Sequence, residues 1–173
     1  NSGSGNGVNA ISLSGTITQN GATTTLAANP LPYLLNGGVT VAASSTLVVN
    51  SGVAIKGWTI NSLSYLNVYG NLVVSGANFS DIVFGSMFSS PAKGNWGGVR
   101  LYSGSYSNIS GATFEYAGTA MTYNGSSLNL ANVKFNENTL GLSADPASLS
   151  YPVNVSNITF TNNTATTSPG GLW

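Results

Sequence analysis

Short alternating or continuously apolar runs recur along most of the chain, and Gly, Asn or Ser bounds each run. Runs of this kind occur at 39–41, 47–49, 66–68 and 72–74. Alternation with a period of two is typical of a strand that buries one face, and the bounding residues favour turns. Strong helix formers such as Glu, Lys, Arg, Gln and Met are scarce, while Gly, Asn and β-branched residues are abundant. The pattern predicts an all-β protein built from strands of about three to five residues.

Four segments of the chain align without gaps and form an internal repeat. The segments are 74–79, 109–114, 130–135 and 155–160, and their starts lie 35, 21 and 25 residues apart (109−74, 130−109 and 155−130). Their first, fourth and sixth positions are apolar, and the third is Gly or Asn, the residues that tolerate left-handed backbone at a corner. One strand–corner–strand unit per repeat of this length is the mark of a solenoid.

The absence of helical segments indicates which solenoid this is. Every side of each turn must then be a strand or a corner, which predicts a parallel β-helix whose turns stack about 4.8 Å apart. We expect about six to seven short turns in one domain over 19–173, preceded by an N-terminal arm and strand over 1–18. The 35-residue interval between the repeats that start at 74 and 109 is longer than the other two, which predicts that a segment at 86–94 loops out of the solenoid.

Side chains at equivalent repeat positions should stack from turn to turn. At the sixth position the predicted aromatic stack consists of Phe79, Phe114, Phe135 and Phe160. At the third position, Asn132 and Asn157 should form an amide ladder along a corner.

Several segments carry a resemblance to a known group of proteins. Residues 32–41, 45–49 and 52–56 contain a Pro-Tyr strand, a Val-Thr-Val turn and a Thr-Leu-Val-Val turn followed by Ile-Lys, and residues 94–99 read Gly-Asn-Trp-Gly-Gly-Val. These features resemble secreted right-handed parallel β-helix proteins of the pectate-lyase-like superfamily. The resemblance covers nearly the whole chain and implies a right-handed parallel β-helix. Members include polysaccharide lyases, glycosidases, adhesins, phage spikes and surface-layer components, so the resemblance leaves the function open.

Composition excludes much chemistry. The 173 residues include four Lys or Arg, four Asp or Glu, no His and no Cys. Histidine bases, thiol nucleophiles, disulfides and His/Cys metal sites therefore lack their atoms, and we expect no cofactor. Four cations are too few for a nucleic-acid surface. No apolar run approaches the roughly 20 residues of a membrane-spanning helix, so we expect no membrane span.

Glu115 and Glu137 are the strongest candidates for catalysis. They follow Phe114 and Phe135, which places them on neighbouring turns, and Arg100 or Lys134 could complete a small catalytic patch. Inverting glycosidases use two carboxylates about 6.5 to 9.5 Å apart. The alternative is a solvated ion pair or a Glu–Lys contact between turns, worth about 0 to 1 kcal/mol.

Aromatic side chains offer a second candidate site. They lie in or beside predicted strands: Tyr65, Tyr69, Tyr102, Tyr106, Tyr116, Tyr123, Trp58 and Trp96. Aromatic rings on a neutral, hydroxyl-rich surface can stack on sugars or anchor a subunit interface. The alternative is that half of them fill the core or cover an end of the solenoid.

Low charge and abundant Ser, Thr and Asn predict an extracellular or cell-surface protein. Low net charge also suits a protein whose copies assemble. Asn1 in place of Met indicates a processed or trimmed N-terminus. Six Asn-X-Ser/Thr sequons are candidate glycosylation sites in a secreted protein: Asn78, Asn108, Asn124, Asn154, Asn157 and Asn162.

Both ends of the chain lack an obvious cap. Residues 8–18 alternate, with Ile11, Leu13 and Ile17 on one face behind a Gly/Ser-rich arm, and the C-terminus closes with Leu172 and Trp173. Open strand edges template association, so these five residues are the predicted interface with identical subunits. Alternatively, residues 8–18 fold back and cap their own first turn.

Together these features favour a non-enzymatic extracellular structural protein that assembles end to end into a filament or surface layer. Two alternatives stay open. One is a polysaccharide lyase or hydrolase that uses Glu115, Glu137 and Arg100, and the other is a carbohydrate-binding adhesin module.

Overall fold

The computed structural model describes residues 4–5, 7–18, 21, 23–58, 64–125, 127–144 and 151–167. These residues form strands and connecting turns, with no helix in the described ranges. The strands are β1 (Ile11–Ile17), β2 (Thr23–Leu26), β3 (Tyr33–Val41), β4 (Thr46–Asn50), β5 (Ala54–Gly57), β6 (Tyr65–Val68), β7 (Asn71–Ser75), β8 (Ile82–Ser86), β9 (Gly98–Leu101), β10 (Tyr106–Glu115), β11 (Thr119–Tyr123), β12 (Ser127–Asn136), β13 (Leu140–Ala144), β14 (Val153–Thr161) and β15 (Ala165–Thr167).

The strands stack in parallel on three faces of a solenoid. The first face contains β2, β4, β7 and the first halves of β10, β12 and β14. The second contains the first halves of β1 and β3, then β5, β8 and the second halves of β10, β12 and β14. The third contains the second halves of β1 and β3, then β6, β9, β11, β13 and β15.

The predicted fold class, an all-β parallel β-helix, is confirmed. The first face has six strands from β2 to β14, so about five turns separate its first strand from its last, a slight difference from the predicted six to seven. Side chains alternate between core and surface along each strand, as β4 shows with buried Leu47 and Val49 flanking the half-buried Val48. The described chain includes no helix that is long and apolar enough to cross a membrane.

The aromatic stack in the core starts at a different residue from the predicted one. Phe84 stacks on Phe114 at 4.5 Å between ring centroids, Phe114 on Phe135 at 5.6 Å, and Phe135 on Phe160 at 5.1 Å. Phe79 was predicted at the top of this stack and that prediction was wrong. Residues 77–81 loop out between β7 and β8, so the pairing register passes from Phe114 to Phe84.

The long step of the repeat therefore contains two excursions. The one predicted at 86–94 is observed between β8 and β9, where residues 88–95 leave the stack and Trp96 rejoins it by pairing with Ala117. The second is the turn at 77–81. There Asp81 accepts hydrogen bonds from the backbone N–H groups of Ala77 and Asn78 at 2.8 and 3.1 Å. The bond from Asn78, which has the larger effect, and the bond from Ala77 both lower the pKa of the Asp81 carboxyl.

Two corners of the solenoid are built by asparagines. At the first corner Gly111, Asn132 and Asn157 have φ of 63°, 53° and 50°, and Asn157 Nδ2 donates to Asn132 Oδ1 at 2.6 Å. The amide ladder predicted at this corner is confirmed. At the second corner the fully buried Asn138 donates to the carbonyl of Phe114 and accepts from the N–H of Ala117.

Asn163 repeats the role of Asn138 one turn later. Its Oδ1 accepts from both the backbone N–H and the Nδ2 of Asn138, at 2.9 and 3.0 Å, and its Nδ2 donates to the carbonyl of Phe135 at 2.9 Å. The corner carbonyls and N–H groups that the turns leave unpaired are thus satisfied by side-chain amides.

Candidate functional site

Three tyrosines and one arginine form a patch on the outside of the third face. We call Tyr65, Tyr69, Arg100 and Tyr102 the tyrosine–arginine patch. The rings of Tyr69 and Tyr102 stack at 4.2 Å with 7° between their planes, and Arg100 Cζ lies 3.5 Å from the centroid of the Tyr65 ring. Tyr69 is 43% exposed, and the other three side chains are half-buried. Stacking fixes the rings and the guanidinium in place while leaving polar atoms at the surface.

The strand register brings these side chains together. β6 and β9 are neighbours on the third face, with Asn67 opposite Arg100 and Tyr65 opposite Gly98. A tyrosine directly follows each of these strands, so Tyr69 and Tyr102 meet at the same corner.

Glycine makes room for the patch. A Cβ on Gly97 would collide with the Tyr65 ring, so the ring can lie flat against the backbone only because residue 97 has no side chain. Trp96, next to it, is buried in the core and donates its Nε1–H to the carbonyl of Glu115 at 2.8 Å. The Trp-Gly-Gly sequence therefore fixes one side of the patch from within.

The polar groups of the patch influence one another. Burial, most of all, and then a hydrogen bond with the Tyr102 hydroxyl raise the pKa of Tyr69, against a smaller opposing effect of Arg100. Among the described residues Arg100 has no carboxylate within ion-pair distance, and Asn67 Oδ1 is buried without a hydrogen-bond partner. At the surface the patch thus offers tyrosine hydroxyls and guanidinium N–H donors beside aromatic rings.

The other predicted aromatics are not part of this patch. Tyr123 and Trp96 are buried, as the alternative interpretation predicted. Tyr106 is exposed on the first face. Tyr116 occupies a corner with φ of 61°, and Trp58 lies 6.4 Å from Phe88 between ring centroids.

The predicted carboxylate cluster takes a different form. Glu115 Oε1 lies 3.6 Å from Lys56 Nζ, whereas Arg100 stacks on Tyr65 of the third face and Lys134 points outward from the second face between Thr113 and Thr159. The alternative to catalysis, a contact between a glutamate and a lysine of different turns, is therefore observed, and the lysine is Lys56.

Glu137 lies at a corner and not on a strand. Its φ is 54°, and in the strand register Glu115 is opposite Asn136. Both carboxylates are close enough to Tyr116 to raise the pKa of that phenol, after the larger effect of burial. Within the described ranges no three acidic side chains come together in a way that could hold a metal ion. Asp145 lies outside the described residues.

The predicted interface residues of the N-terminus lie on β1. This strand pairs in parallel with β3 of the same chain, Ile11 with Tyr33 and Ile17 with Val41, and Leu13 and Ile17 pack against the core. Residues 11–17 therefore form the start of the solenoid, as the fold-back alternative predicted. Leu172 and Trp173 lie outside the described residues.

The sequon asparagines are at the surface, and some of their amides already have a structural role. Asn108 is exposed on the first face. The Nδ2 groups of Asn154 and Asn157 donate to the Oδ1 atoms of Asn129 and Asn132, so a glycan on either would replace a ladder bond. The other three, in turns or at strand ends, are Asn78, Asn124 and Asn162.

Sequence reasoning missed how the aromatics would group, although a signal exists. Residues 66–69 and 99–102 share the pattern apolar, polar, apolar, tyrosine. Aligning them places Asn67 beside Arg100 and Tyr69 beside Tyr102, which is the observed register.

Comparison with known proteins agrees with this architecture. A family model described as a pectate-lyase-like β-helix domain matches residues 15–132, more than half of the chain. Neither the curated proteins nor the solved structures gave a match. Together with the observed solenoid, the family match shows that the chain belongs to the pectate-lyase-like β-helix domains.

Proposed function

We propose that this protein is a non-enzymatic extracellular β-helix domain that binds glycans through the tyrosine–arginine patch. The observation that carries the proposal is the pair of stacked interactions on one outer face, Tyr69 on Tyr102 and Arg100 on Tyr65. Membership of the pectate-lyase-like family supports a carbohydrate ligand, since lyases and glycosidases belong to the wider group.

The chemistry of the patch suits a sugar. The apolar C–H face of a pyranose packs on an aromatic ring, and its hydroxyls need donors and acceptors around that ring. Tyr69 and Tyr102 each keep one ring face that the other does not cover. Arg100 supplies donors, and the hydroxyl oxygens of Tyr69 and Tyr102 supply acceptors.

The arrangement of the carboxylates supports binding without catalysis. Glu115 is engaged by Lys56 and Asp81 by the backbone of its own turn. Glu137 is on a corner away from the patch strands. A glycoside hydrolase needs two carboxyl groups that flank the scissile bond, and the rings of the patch have no carboxylate beside them among the described side chains.

Glycan-array screening followed by titration calorimetry tests this proposal. Tyr69→Ala and Tyr102→Ala should each weaken binding about 5-fold to 150-fold, since one stacked ring contributes about 1 to 3 kcal/mol by analogy with base stacking. Tyr106→Ala is the matched control, because Tyr106 is as exposed as Tyr69, both at 43%, but lies on the first face. Equal loss in the control, or no loss in the patch variants, would contradict the proposal.

Self-assembly is a second candidate function, and the distribution of charge favours it. All Lys, Arg, Asp and Glu residues lie between Lys56 and Asp145, so residues 1–55 and 146–173 contain none. Charged residues on edge strands normally block edge-to-edge association. Electron microscopy and sedimentation of the purified protein test this function, and monomers at every concentration would contradict it.

A further inference from the structure

We infer that copies of this chain join head to tail, with Phe160 of one copy packed on Ile11 of the next. This inference rests on the second proposed function and specifies the two surfaces that meet. The two surfaces are assigned from a column of residues, that is, the residues that stack at the same position in successive turns of the solenoid. In the second-face register Ile11 is opposite Tyr33, which continues through Ile55, Phe84, Phe114 and Phe135 to Phe160. Ile11 and Phe160 are thus the first and last members of one core column.

The C-terminal end of the solenoid exposes core positions. Val155 occupies the inward position opposite buried Leu130, yet it is 55% exposed, because no further turn covers it within the described residues. Ile158 and Phe160 face the core in the same way and are only half-buried. Interior side chains of this kind lose their packing partners on one side.

The N-terminal end carries the complementary features. Ile11 and Leu13 belong to β1, whose only strand neighbour among the described residues is β3, so the outer edge of β1 keeps backbone groups available. The second half of β14 and the strand β15 present the opposite edge on the same two faces. Parallel pairing of these edges would continue the ladder with the same spacing.

A second copy is the occupant that the charge pattern favours. The last turn, 151–167, and the first turn both lack Lys, Arg, Asp and Glu. The ammonium group of Lys93 lies 3.4 Å from Thr164 Oγ1 of the last turn, but the first turn has no cation to repel it, so no repulsion between like charges opposes the contact. The two surfaces differ, so the joint is heterologous and propagates into a chain of subunits.

Analytical ultracentrifugation of two blocked variants tests the joint. We call the N-terminal end around Ile11 the head and the C-terminal end around Phe160 the tail. Ile11→Lys should block association at the head and Phe160→Lys at the tail, so each variant alone should sediment as a monomer. In a mixture, the intact tail of Ile11→Lys meets the intact head of Phe160→Lys, which should give heterodimers and nothing longer. Both substitutions add the same charge, so attraction between the new groups cannot produce the heterodimer. Val155→Lys is a second tail variant at a more exposed position, and circular dichroism verifies folding of each.

Controls separate the possible failures. Asn108→Lys adds the same charge to the side wall and should assemble like the parent protein; if it does not, the effect is one of net charge and the inference is overturned. If the parent protein, the head variant and the tail variant all assemble equally well, the proposed contact between Phe160 and Ile11 is wrong, although self-assembly itself is not contradicted. Parent protein that stays monomeric but associates after removal of 168–173 would show that this segment covers the tail, which also overturns the inference.

Discussion

Lys56 and Glu115 form an ion pair although they lie two turns apart in the solenoid. The Nζ and Oε1 atoms are 3.6 Å apart, and the residue between them in the stack is Gly85. A Cβ at Gly85 would lie 2.9 Å from both charged atoms. The missing side chain therefore lets the lysine and the glutamate reach each other along the outside of the second face.

Removing this ion pair should have a small effect on stability. Both side chains are partly exposed, so Glu115→Gln should lower the free energy of unfolding by about 0 to 1 kcal/mol. Urea unfolding measures the change, and addition of salt should reduce the difference between the variant and the parent protein. The same variant tests the enzymatic alternative: loss of a polysaccharide-cleaving activity with folding intact would show that Glu115 is catalytic.

Asn138→Ala should be strongly destabilising. The variant would leave the N–H of Ala117 and the carbonyl of Phe114 without their partners inside a corner where Asn138 is fully buried. We expect a loss of about 2 to 4 kcal/mol in urea unfolding. Asn129→Ala removes a ladder amide at the surface instead, and its effect should stay within about 0.5 kcal/mol. Similar losses in the two variants would contradict this account of the corner.

Ser107→Ala should stabilise the protein. The Ser107 hydroxyl is fully buried between Leu72 and Leu128, with no hydrogen-bond partner among the described residues. Replacing it removes an unsatisfied polar group, so the free energy of unfolding should rise by about 1 kcal/mol. Ser110→Ala on the same strand should do the reverse, because the Ser110 hydroxyl donates to the carbonyl of Gly76 at 2.8 Å. A lower melting temperature for Ser107→Ala would refute the prediction.

Gly97→Ala should weaken glycan binding although it substitutes no residue of the tyrosine–arginine patch. The new methyl group must displace the Tyr65 ring, and with it the surface on which Arg100 stacks. Calorimetry should show a several-fold lower affinity. Tyr65→Ala combined with Gly97→Ala is the diagnostic pair, because the glycine substitution should add little once the ring is absent.

The turn at 77–81 should respond to acid through Asp81. The pKa of this carboxyl is lower in the folded protein than its ordinary value of 3.8. Its stabilising contribution is therefore complete above that ordinary value and is lost as the pH falls through the folded pKa. Melting temperatures measured from about pH 6 to about pH 2 should fall less steeply for Asp81→Asn than for the parent protein. Parallel curves would show that the carboxylate does not hold the turn.

The sequence by itself determined the strands, the corners and the fold. Alternation marks strands such as those at 39–41 and 66–68, and the Gly or Asn at the third repeat position predicts the left-handed corners at Gly111, Asn132 and Asn157. These signals are local, because inward and outward side chains alternate along a strand and a left-handed corner requires particular residues.

Only the tertiary structure decided which side chains meet across turns. Phe79 fits the sequence repeat, but looping out of 77–81 shifts the register and puts Phe84 in the core. Lys56 reaches Glu115, and Arg100 reaches Tyr65, because the neighbours of a residue in a solenoid are set by this register. This register depends on which segment leaves the stack, because looping out a segment costs chain entropy and changes the packing of whole turns. The pattern shared by 66–69 and 99–102 indicates how two strands pair, but it does not indicate which segment loops out.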